Sequence, residues 1–232
     1  MKKVLITQSN YIPWKGYFDS INLVDEVILY DDVQYTKRDW RNRNMIKTPQ
    51  GVAWLSIPVE VKGKFLQKID ETRISERNWN EKHWKTLNSN YSKAPCFKEV
   101  KDFVASLYIG ATMELLSEVN YWFLTELSKW LGIQTKFRFS GQFHLAEENP
   151  TQRLVLLCKK TDATHYFSGP AAKAYLEPDR FEKESIDITY LSYDGYREYP
   201  QLNPPFSHSV TILDLLFNTG KNSPRYMKSF SQ

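Results

Sequence analysis

The chain has 232 residues, of which 41% are hydrophobic and 25% charged, as expected for a globular protein with one large domain. No run of about 18 apolar residues is present, so the sequence predicts no membrane-spanning helix. The net charge of +4 suits small phosphate-bearing ligands, whereas a nucleic-acid-binding protein more often shows a concentrated basic stripe. Because the N-terminus lacks signal-peptide features and the two cysteines, Cys96 and Cys158, are far apart, we expect a cytoplasmic protein without a disulfide framework.

The N-terminal part of the chain contains two predicted strands, each followed by a dense polar segment. An apolar strand at Val4–Thr7 leads into residues 8–18, which contain a proline, a glycine and four aromatic rings. A short amphipathic segment at Phe18–Leu23 precedes a second apolar strand, Glu26–Tyr30. The second strand ends on Asp31 and Asp32, and a run of cations and amides follows at 34–44.

The middle of the chain is predicted to be mainly helical. The helices are expected at Arg77–Tyr91, Cys96–Tyr108 and Met113–Leu131, with start and stop signals at Ser75, Pro95, Thr112 and Gly132. Two strands are predicted before this block, at Val52–Val59 and, half exposed, at Phe65–Ile74.

The C-terminal part returns to alternating strands and helices. The predicted strands are Thr135–Ser140, Ala163–Phe167 and Ile186–Tyr193, and the predicted helices are Pro150–Lys160, Ala171–Leu176 and Val210–Asn218. Alternation at this spacing predicts βαβ units and therefore an α/β fold with a mainly parallel sheet.

Both N-terminal polar segments follow the carboxyl ends of predicted strands, where open α/β sheets bind ligands. Backbone amides at a helix N-terminus face anions, and arginine binds phosphate oxygens in pairs. The predicted substrate-binding residues here are Gln8, Tyr11, Trp14, Gly16, Tyr17, Gln34, Lys37, Trp40, Arg41, Asn42, Arg43 and Asn44. The alternative interpretations are a packed aromatic corner for the first segment and a solvated charged loop for the second.

A second candidate anion-binding turn lies at the strand-to-helix junction around Ser168 and Gly169. Lys173, one turn further on, is predicted to face the same crevice. The alternative interpretation is an ordinary helix start, because serine is a preferred N-cap residue.

Two residues are candidate catalytic bases, Asp32 and His208, with Asp214 as a candidate partner that orients the histidine. The alternative is that His208 is a capping or surface residue. The four histidines show no metal-ligand spacing with each other or with the cysteines, so we predict no metal ligands.

Six motifs taken together resemble the WbqC-like protein family. They are Gln8–Phe18 (QSNYIPWKGYF), Asp32–Tyr35 (DVQY), Trp40–Asn44 (WRNRN), Ser168–Pro170 (SGP), Tyr199–Gln201 (YPQ) and Asp214–Asn218 (DLLFN). The resemblance spans nearly the whole chain. It implies one WbqC-like α/β domain over residues 1–232, with a helical block at about 76–132. It also implies a role in bacterial surface-polysaccharide (O-antigen, lipopolysaccharide) biosynthesis, beside enzymes that build nucleotide-linked amino sugars.

The opening of the chain is also similar to nucleotidylyltransferase-like α/β domains, which implies a Rossmann-like sheet. Those enzymes carry a His-x-Gly-His turn that stabilises a phosphate transition state, and here Trp14 and Tyr17 occupy the histidine positions. An indole carries no charge, so the substitution argues against nucleotidyl transfer by that route and leaves phosphate or nucleotide binding by the same turn intact.

Three functional hypotheses follow. The first is a transferase that moves an acyl or aminoacyl group to the amine of a nucleotide-linked sugar, with His208 or Asp32 deprotonating the amine. The second is a nucleotidylyltransferase or adenylate-forming ligase that uses ATP and Mg²⁺, with Asp31 and Asp32 as metal ligands. The third is a non-catalytic nucleotide-sugar-binding protein. The sequence identifies neither the cofactor, the sugar, the base nor the acyl donor.

Overall fold

The computed structural model of the protein describes residues 1–147 and 149–230. The strands are β1 (Lys3–Thr7), β2 (Glu26–Leu29), β3 (Arg43–Thr48), β4 (Gly51–Ser56), β5 (Lys136–Phe139), β6 (His165–Ser168) and β7 (Asp187–Tyr190). The α-helices are α1 (Lys15–Asn22), α2 (Trp79–Tyr91), α3 (Phe97–Gly110), α4 (Leu116–Leu131), α5 (Pro150–Lys160), α6 (Pro178–Glu182) and α7 (Ile212–Thr219). Short 3-10 helices lie at Ser140–Phe143, Pro170–Ala174 and Gly220–Tyr226.

Five strands form one parallel sheet in the order β5-β2-β1-β6-β7. The chain moves outward from β1 through β2 and β5 on one side, and through β6 and β7 on the other. The strand order therefore reverses between β1 and β6, which is the point where doubly wound sheets leave a ligand crevice at their carboxyl ends. The predicted mainly parallel, Rossmann-like α/β fold is confirmed.

Helices cover both faces of this sheet, as the near-continuous apolar composition of parallel strands requires. Leu5, Val27 and Leu29 belong to a large core that also contains buried residues of α1, α2, α3, α4 and α7. Val4 and Ile28 belong to a second core with residues of α5 and α6. Successive strand residues thus point to opposite layers, and the sheet is fixed between them.

Strands β3 and β4 form a separate antiparallel hairpin in which Arg43 pairs with Ser56 and Thr48 with Gly51. The hairpin is tied to the helical block by the Lys47 amide, which donates to Tyr91 Oη at 2.9 Å. Strand β3 differs from the prediction of an irregular polar segment through residue 44. Pairing with β4 buries Asn44 and Lys47, although both are polar.

The prediction of a strand at Phe65–Ile74 is wrong, because this segment forms turns with only isolated bridges such as Gln34–Lys68 and Val59–Ile74. Side chains replace the ladder of a strand here. Gln67 Nε2 donates to the Glu60 carbonyl at 2.8 Å, and Thr72 Oγ1 donates to the Lys68 carbonyl at 2.8 Å. The alternating pattern therefore reflects which side chains are buried and not an extended backbone.

The remaining predicted elements lie close to the observed ones. The three central helices correspond to α2, α3 and α4, and the predicted Pro150–Lys160 helix matches α5 at both ends. The Asn149 side chain caps α5 by accepting from the Gln152 amide at 2.8 Å. The predicted helix Ala171–Leu176 is a 3-10 helix at Pro170–Ala174, and α6 has no predicted counterpart. Of the helices in the described residues, none has the length and apolarity needed to cross a bilayer.

Candidate functional site

A cavity of about 710 Å³ lies at the carboxyl end of β1, within the range of about 300–1,000 Å³ typical of small-molecule sites. Its lining comes from four segments: the end of β1 and the next turn (Thr7, Gln8, Asn10, Pro13, Trp14, Tyr17), residues around the start of β3 (Trp40, Arg41, Asn44), the loop after β7 (Tyr193, Asp194, Gly195, Tyr196), and the residues before α7 (His208, Ser209). The two polar segments predicted from the sequence thus contribute to one cavity.

Arg41 joins these two segments. Its Nη1 donates to the carbonyls of Gln8 at 3.3 Å and Ser9 at 3.4 Å, and also to Asn10 Oδ1. Its Nη2 lies 3.5 Å from Asp39 Oδ2, a distance at which the ion pair is weak. Because Nη1 is occupied by the turn, the Nη2 side of the guanidinium is the part of Arg41 that is available to an anion. Asn10 Nδ2 has no hydrogen-bond partner among the described residues and adds a second free donor.

The turn after β1 is held in shape by Asn44 and Trp40. Asn44 Nδ2 donates to the Tyr11 and Ile12 carbonyls at 3.1 and 3.0 Å, and the Tyr11 amide donates to the Trp40 carbonyl at 3.0 Å. Ile12 has a positive φ of 37°, a conformation that a β-branched residue adopts only when its surroundings enforce it. The backbone of the turn is therefore fixed before a ligand arrives.

Tyr11, one of the predicted substrate-binding residues, does not line the cavity. Its ring is fully buried, and its hydroxyl lies 2.8 Å from His83 Nδ1 and 2.7 Å from the Tyr108 hydroxyl. Burial raises the pKa of Tyr11 well above its ordinary value of 10. Tyr11 anchors the turn to α2 and α3 and presents no ring face to the cavity.

Four aromatic rings form one wall of the cavity. The Trp14 ring lies 5.4 Å from the ring of Tyr193 and 5.1 Å from that of Tyr196, in edge-on and tilted arrangements. Tyr17 completes the wall, and its hydroxyl donates to the Gln8 carbonyl at 2.9 Å. A wall of this kind offers ring faces and edges to a planar ligand group.

The loop at 193–196 contributes lining residues that the sequence did not identify. Lys228 Nζ holds this loop by donating to the Asp194 carbonyl at 2.9 Å, with the ammonium 5.2 Å from the centre of the Tyr196 ring. The signal was present, since two tyrosines and a glycine follow Tyr190, where β7 ends. The predicted strand was extended to Tyr193, which concealed the loop.

His208 lies just before α7, far along the chain from the turn after β1, and lines the same cavity. Its ring packs edge-on against Phe206 at 4.6 Å, and its Nδ1 is buried without a hydrogen-bond partner in the described residues. Burial, and then the nearby Lys15 ammonium, lower the pKa of His208 below its ordinary value of 6.5, and Glu198 opposes them. The imidazole is therefore neutral at pH 7 and can accept a proton.

Asp214 does not orient His208, contrary to the sequence-based expectation. Its carboxylate accepts from Tyr91 Oη at 2.8 Å, Tyr199 Oη at 2.6 Å and Gln201 Nε2 at 2.7 Å. Asp214 instead connects α2, α7 and the segment between β7 and α7.

Lys15 is a buried cation beside the cavity. Its Nζ donates to the Arg197 carbonyl at 2.6 Å and lies 5.3 and 5.1 Å from the ring centres of Tyr196 and Tyr199. Burial lowers the pKa of Lys15 to about 8, although Asp19 and Glu198 act in the opposite direction. The ammonium thus adds positive potential next to His208 without lining the cavity itself.

Comparison with known proteins agrees with the motif resemblance. The model of the WbqC-like protein family matches residues 8–226, a span that contains all of these cavity residues except Thr7. This chain belongs to the WbqC-like protein family. It is 50% identical over 228 residues to the Mycobacterium tuberculosis protein named "Uncharacterized protein Rv1507c", covering 98% of each chain. No solved structure matches.

Asp32 lies outside the lining of the cavity in this WbqC-like protein. Its carboxylate pairs with the Arg153 guanidinium of α5 and accepts from Ser140 Oγ. The neighbouring Asp31 is buried and accepts from the Ser9 amide at 2.8 Å, while its Oδ2 has no partner in the described residues. Burial raises the pKa of Asp31 to about 6.

The other predicted binding residues have these positions. Gln34 donates to the Phe65 carbonyl at 2.8 Å, and Asn42 donates to the Ile57 carbonyl at 2.8 Å. Lys37 lies 4.8 Å from the centre of the Phe65 ring, and the Arg43 guanidinium lies 4.0 Å from that of Trp54. None of these four side chains lines the cavity.

The second candidate anion turn contributes no residue to the lining of the cavity. Ser168 is buried, with its Oγ 3.1 Å from Tyr166 Oη, and Lys173 lies 5.2 Å from the ring centre of Tyr190. A Cβ placed on Gly169 would be 3.9 Å from Tyr193 Oη, so this turn borders the loop that lines the cavity. Within residues 1–147 and 149–230, no three His, Cys, Asp or Glu side chains are grouped so as to hold a metal ion.

Proposed function

We propose that this WbqC-like protein is a transferase that acts on a nucleotide-linked amino sugar, moving an acyl or aminoacyl group to the sugar amine during bacterial surface-polysaccharide biosynthesis. The observation that carries the proposal is the meeting of an aromatic wall, the Arg41 guanidinium and a neutral His208 around one cavity at the reversal point of the sheet. The biosynthetic setting comes from the family resemblance.

The nucleotide is recognised by rings and free donors. Trp14 or Trp40 stacks on the base, and both lie on the lining together with Tyr17. The diphosphate binds at the Nη2 side of Arg41 and at Asn10 Nδ2. At Arg41 it displaces the weak contact between Nη2 and Asp39. The cavity volume of about 710 Å³ is large enough for a ligand of this class.

His208 acts as the general base. As the sugar amine attacks the acyl carbonyl of the donor, the new N–C bond forms, the bond from the acyl carbon to the donor's leaving group breaks, and the imidazole takes the proton from nitrogen. A pKa below 6.5 keeps the imidazole ready for this step at pH 7. Asp32 receives no catalytic role, since its carboxylate is held by Arg153.

Transfer is direct and does not proceed through a thiol intermediate. Cys158 is buried, and burial raises the pKa of its thiol to about 12, so a thiolate nucleophile does not form near pH 7. Burial also raises the pKa of Cys96, and neither cysteine lines the cavity.

A thermal-shift panel tests the ligand class. The panel contains the uridine, cytidine, guanosine and thymidine diphosphates, the same bases linked to amino sugars, free amino sugars, and ATP with Mg²⁺. A ligand at ~100 times its dissociation constant stabilises the folded state by about 2.7 kcal/mol, which raises the melting temperature by several degrees. We expect nucleotide-linked amino sugars to give the largest shifts. Shifts with free sugars alone would contradict the proposal.

An assay with a bound free-amine nucleotide sugar and activated acyl donors then tests the reaction. Mass spectrometry should show one acyl group added to the sugar, and His208→Gln should remove turnover while leaving binding in place. Binding without turnover with any donor would favour the non-catalytic alternative. Release of pyrophosphate from ATP in the presence of substrate would favour the ligase alternative.

A further inference from the structure

The loop at residues 61–66 presents two adjacent apolar side chains to solvent. Phe65 is 71% exposed and Leu66 is 83% exposed, and Lys62, Lys64 and Lys68 around them are exposed as well. The loop backbone is nevertheless fixed, because the Phe65 carbonyl accepts from Gln34 Nε2 at 2.8 Å and Lys64 pairs with Glu60. Exposure of these two apolar side chains to water does not stabilise the protein. An apolar tip between lysines on a structured loop is instead typical of an interaction surface.

This loop is continuous with a second exposed apolar patch on the hairpin. Lys37 covers the Phe65 ring, the adjoining Arg38 carbonyl accepts from Arg43 Nη2, and Arg43 stacks on Trp54 at 4.0 Å. Trp54 in turn lies 5.4 Å from Trp40, ring centre to ring centre. We call this surface the apolar-basic face; its members are Lys37, Arg38, Trp40, Arg43, Val52, Trp54, Lys62, Lys64, Phe65, Leu66 and Lys68.

The positive charge of the protein is concentrated in the segments that form this face. Residues 37–43 and 60–68 contain seven Lys and Arg and two Asp and Glu, so they carry a net charge of +5, compared with +4 for the whole chain. Five of the nine large apolar side chains that are most exposed in the described residues also belong to it. The sequence conceals this concentration, because the two segments are separated by the hairpin.

We propose that the apolar-basic face docks the protein on an anionic membrane surface. Phe65 and Leu66 enter the boundary between headgroups and acyl chains, and Trp40 and Trp54 lie at headgroup level, as interfacial tryptophans do. The lysines and arginines contact the lipid phosphates. The geometry favours lipid over nucleic acid as the partner, since Leu66, the most exposed of the apolar side chains in this face, has no ring to stack on a base.

Docking in this way places the cavity beside the membrane. Trp40 belongs both to the face and to the cavity lining, so the cavity lies next to the bound surface. The inference does not rest on the proposed transferase activity. Lipid binding is measured without any nucleotide sugar, so either proposal can fail alone.

Co-sedimentation with vesicles tests the inference. The full chain is mixed with vesicles of phosphatidylcholine alone or of phosphatidylcholine with phosphatidylglycerol, at low and high salt. We expect binding to the mixed vesicles only, weakened by salt because exposed charges are screened. The double variant Phe65→Ser with Leu66→Ser should bind about tenfold more weakly or worse. Ile109→Ser on α3, where the side chain is 73% exposed, is the matched control and should bind as the wild type does.

A charge variant separates the two contributions. Lys62→Gln with Lys68→Gln should weaken binding to the mixed vesicles and reduce its salt dependence, whereas Lys93→Gln with Lys98→Gln on the helical block should leave both unchanged. Failure of the wild-type protein to bind the mixed vesicles would overturn the inference, and this comparison needs no variant. Equal binding by the Phe65→Ser, Leu66→Ser protein would also overturn it. So would tighter retention on duplex DNA than on the mixed vesicles at physiological salt.

Discussion

The indole of Trp14 lies directly over Gly16, so closely that a Cβ at residue 16 would be 2.2 Å from Trp14 Cζ2. The glycine is required at this position by the ring above it, and the same ring contacts Tyr193 and Tyr196. The first turn of α1 and the loop after β7 thus set the position of one cavity wall together.

Gly16→Ala should displace the Trp14 ring. Alanine favours the helix by about 1 kcal/mol and the clash costs about 1–3 kcal/mol, so we expect only a small loss of stability. The affinity for a nucleotide sugar that the panel identifies should fall about tenfold, because the aromatic wall is rearranged. Calorimetry measures the affinity, and near-ultraviolet circular dichroism reports the ring environment without ligand. Gly141→Ala is the control, since a Cβ there meets nothing closer than 3.9 Å. Unchanged dichroism in Gly16→Ala would contradict the prediction.

His208→Gln should lower the transfer rate about 100-fold or more with little change in nucleotide-sugar affinity, because a general base acts on the chemical step. In the wild-type enzyme, activity should persist below pH 6.5 and decline only when the imidazole protonates at its lowered pKa. His165→Gln, at the amino end of β6, is the control and should keep full activity. A pH profile whose acidic limb lies at or above 6.5 would argue against His208 as the base.

Asp31→Asn and Asp32→Asn should change stability in opposite directions. Burial raises the pKa of Asp31 from 3.8 to about 6, so the folded state binds more protons than the unfolded state between these values and loses stability as pH rises. Asparagine removes this cost, which amounts to about 3 kcal/mol above pH 6. Asp32→Asn leaves the Arg153 guanidinium without its partner and should cost about 1–3 kcal/mol.

Urea denaturation at pH 8 and pH 3.5 measures both aspartate effects. The gain from Asp31→Asn should be present at pH 8 and almost absent at pH 3.5, which lies below both the folded-state pKa of about 6 and the ordinary value of 3.8. A loss of stability at pH 8 would contradict the prediction, because it would show that the Ser9 hydrogen bonds and the Arg41 guanidinium stabilise the Asp31 carboxylate by more than its burial costs.

His83 should make the protein less stable as pH falls from 6.5 to about 4. Its Nε2 lies 3.0 Å from the Ser56 carbonyl and so donates to it, which leaves Nδ1 to accept from the Tyr11 hydroxyl. Burial lowers the pKa of His83 from 6.5 to about 4. Between these pH values the unfolded state therefore binds a proton that the folded state does not bind. The contribution is complete above pH 6.5 and falls by about 3 kcal/mol by pH 4.

The variant His83→Gln isolates this contribution, because an amide can donate to Ser56 and accept from Tyr11 without titrating. Its stability should depend less steeply on pH between 4 and 6.5 than that of the wild-type protein, as followed by chemical denaturation. Parallel pH curves for the two proteins would contradict the prediction, because they would show that His83 has the same pKa in the folded and unfolded states.

The sequence was sufficient to predict the layers of the fold and the two N-terminal segments that meet at the cavity. Apolar strands of four to five residues, helix caps and Gly or Pro stops are local signals, and the parallel α/β sheet follows from their alternation. Six residues of the cavity lining were predicted because they lie in the two polar segments that follow the carboxyl ends of predicted strands. They are Gln8, Trp14, Tyr17, Trp40, Arg41 and Asn44.

Only the tertiary structure decided which of these side chains face the cavity. Arg41 and Arg43 are two residues apart and chemically alike, yet Arg41 is bonded to the turn after β1 while Arg43 stacks on Trp54 of the hairpin. Tyr193 and Tyr196 reach Trp14 because the sheet order brings the loop after β7 toward the end of β1, and Lys228 holds it there. These contacts join residues far apart in the chain, and their geometry depends on packing that no local pattern of residues encodes.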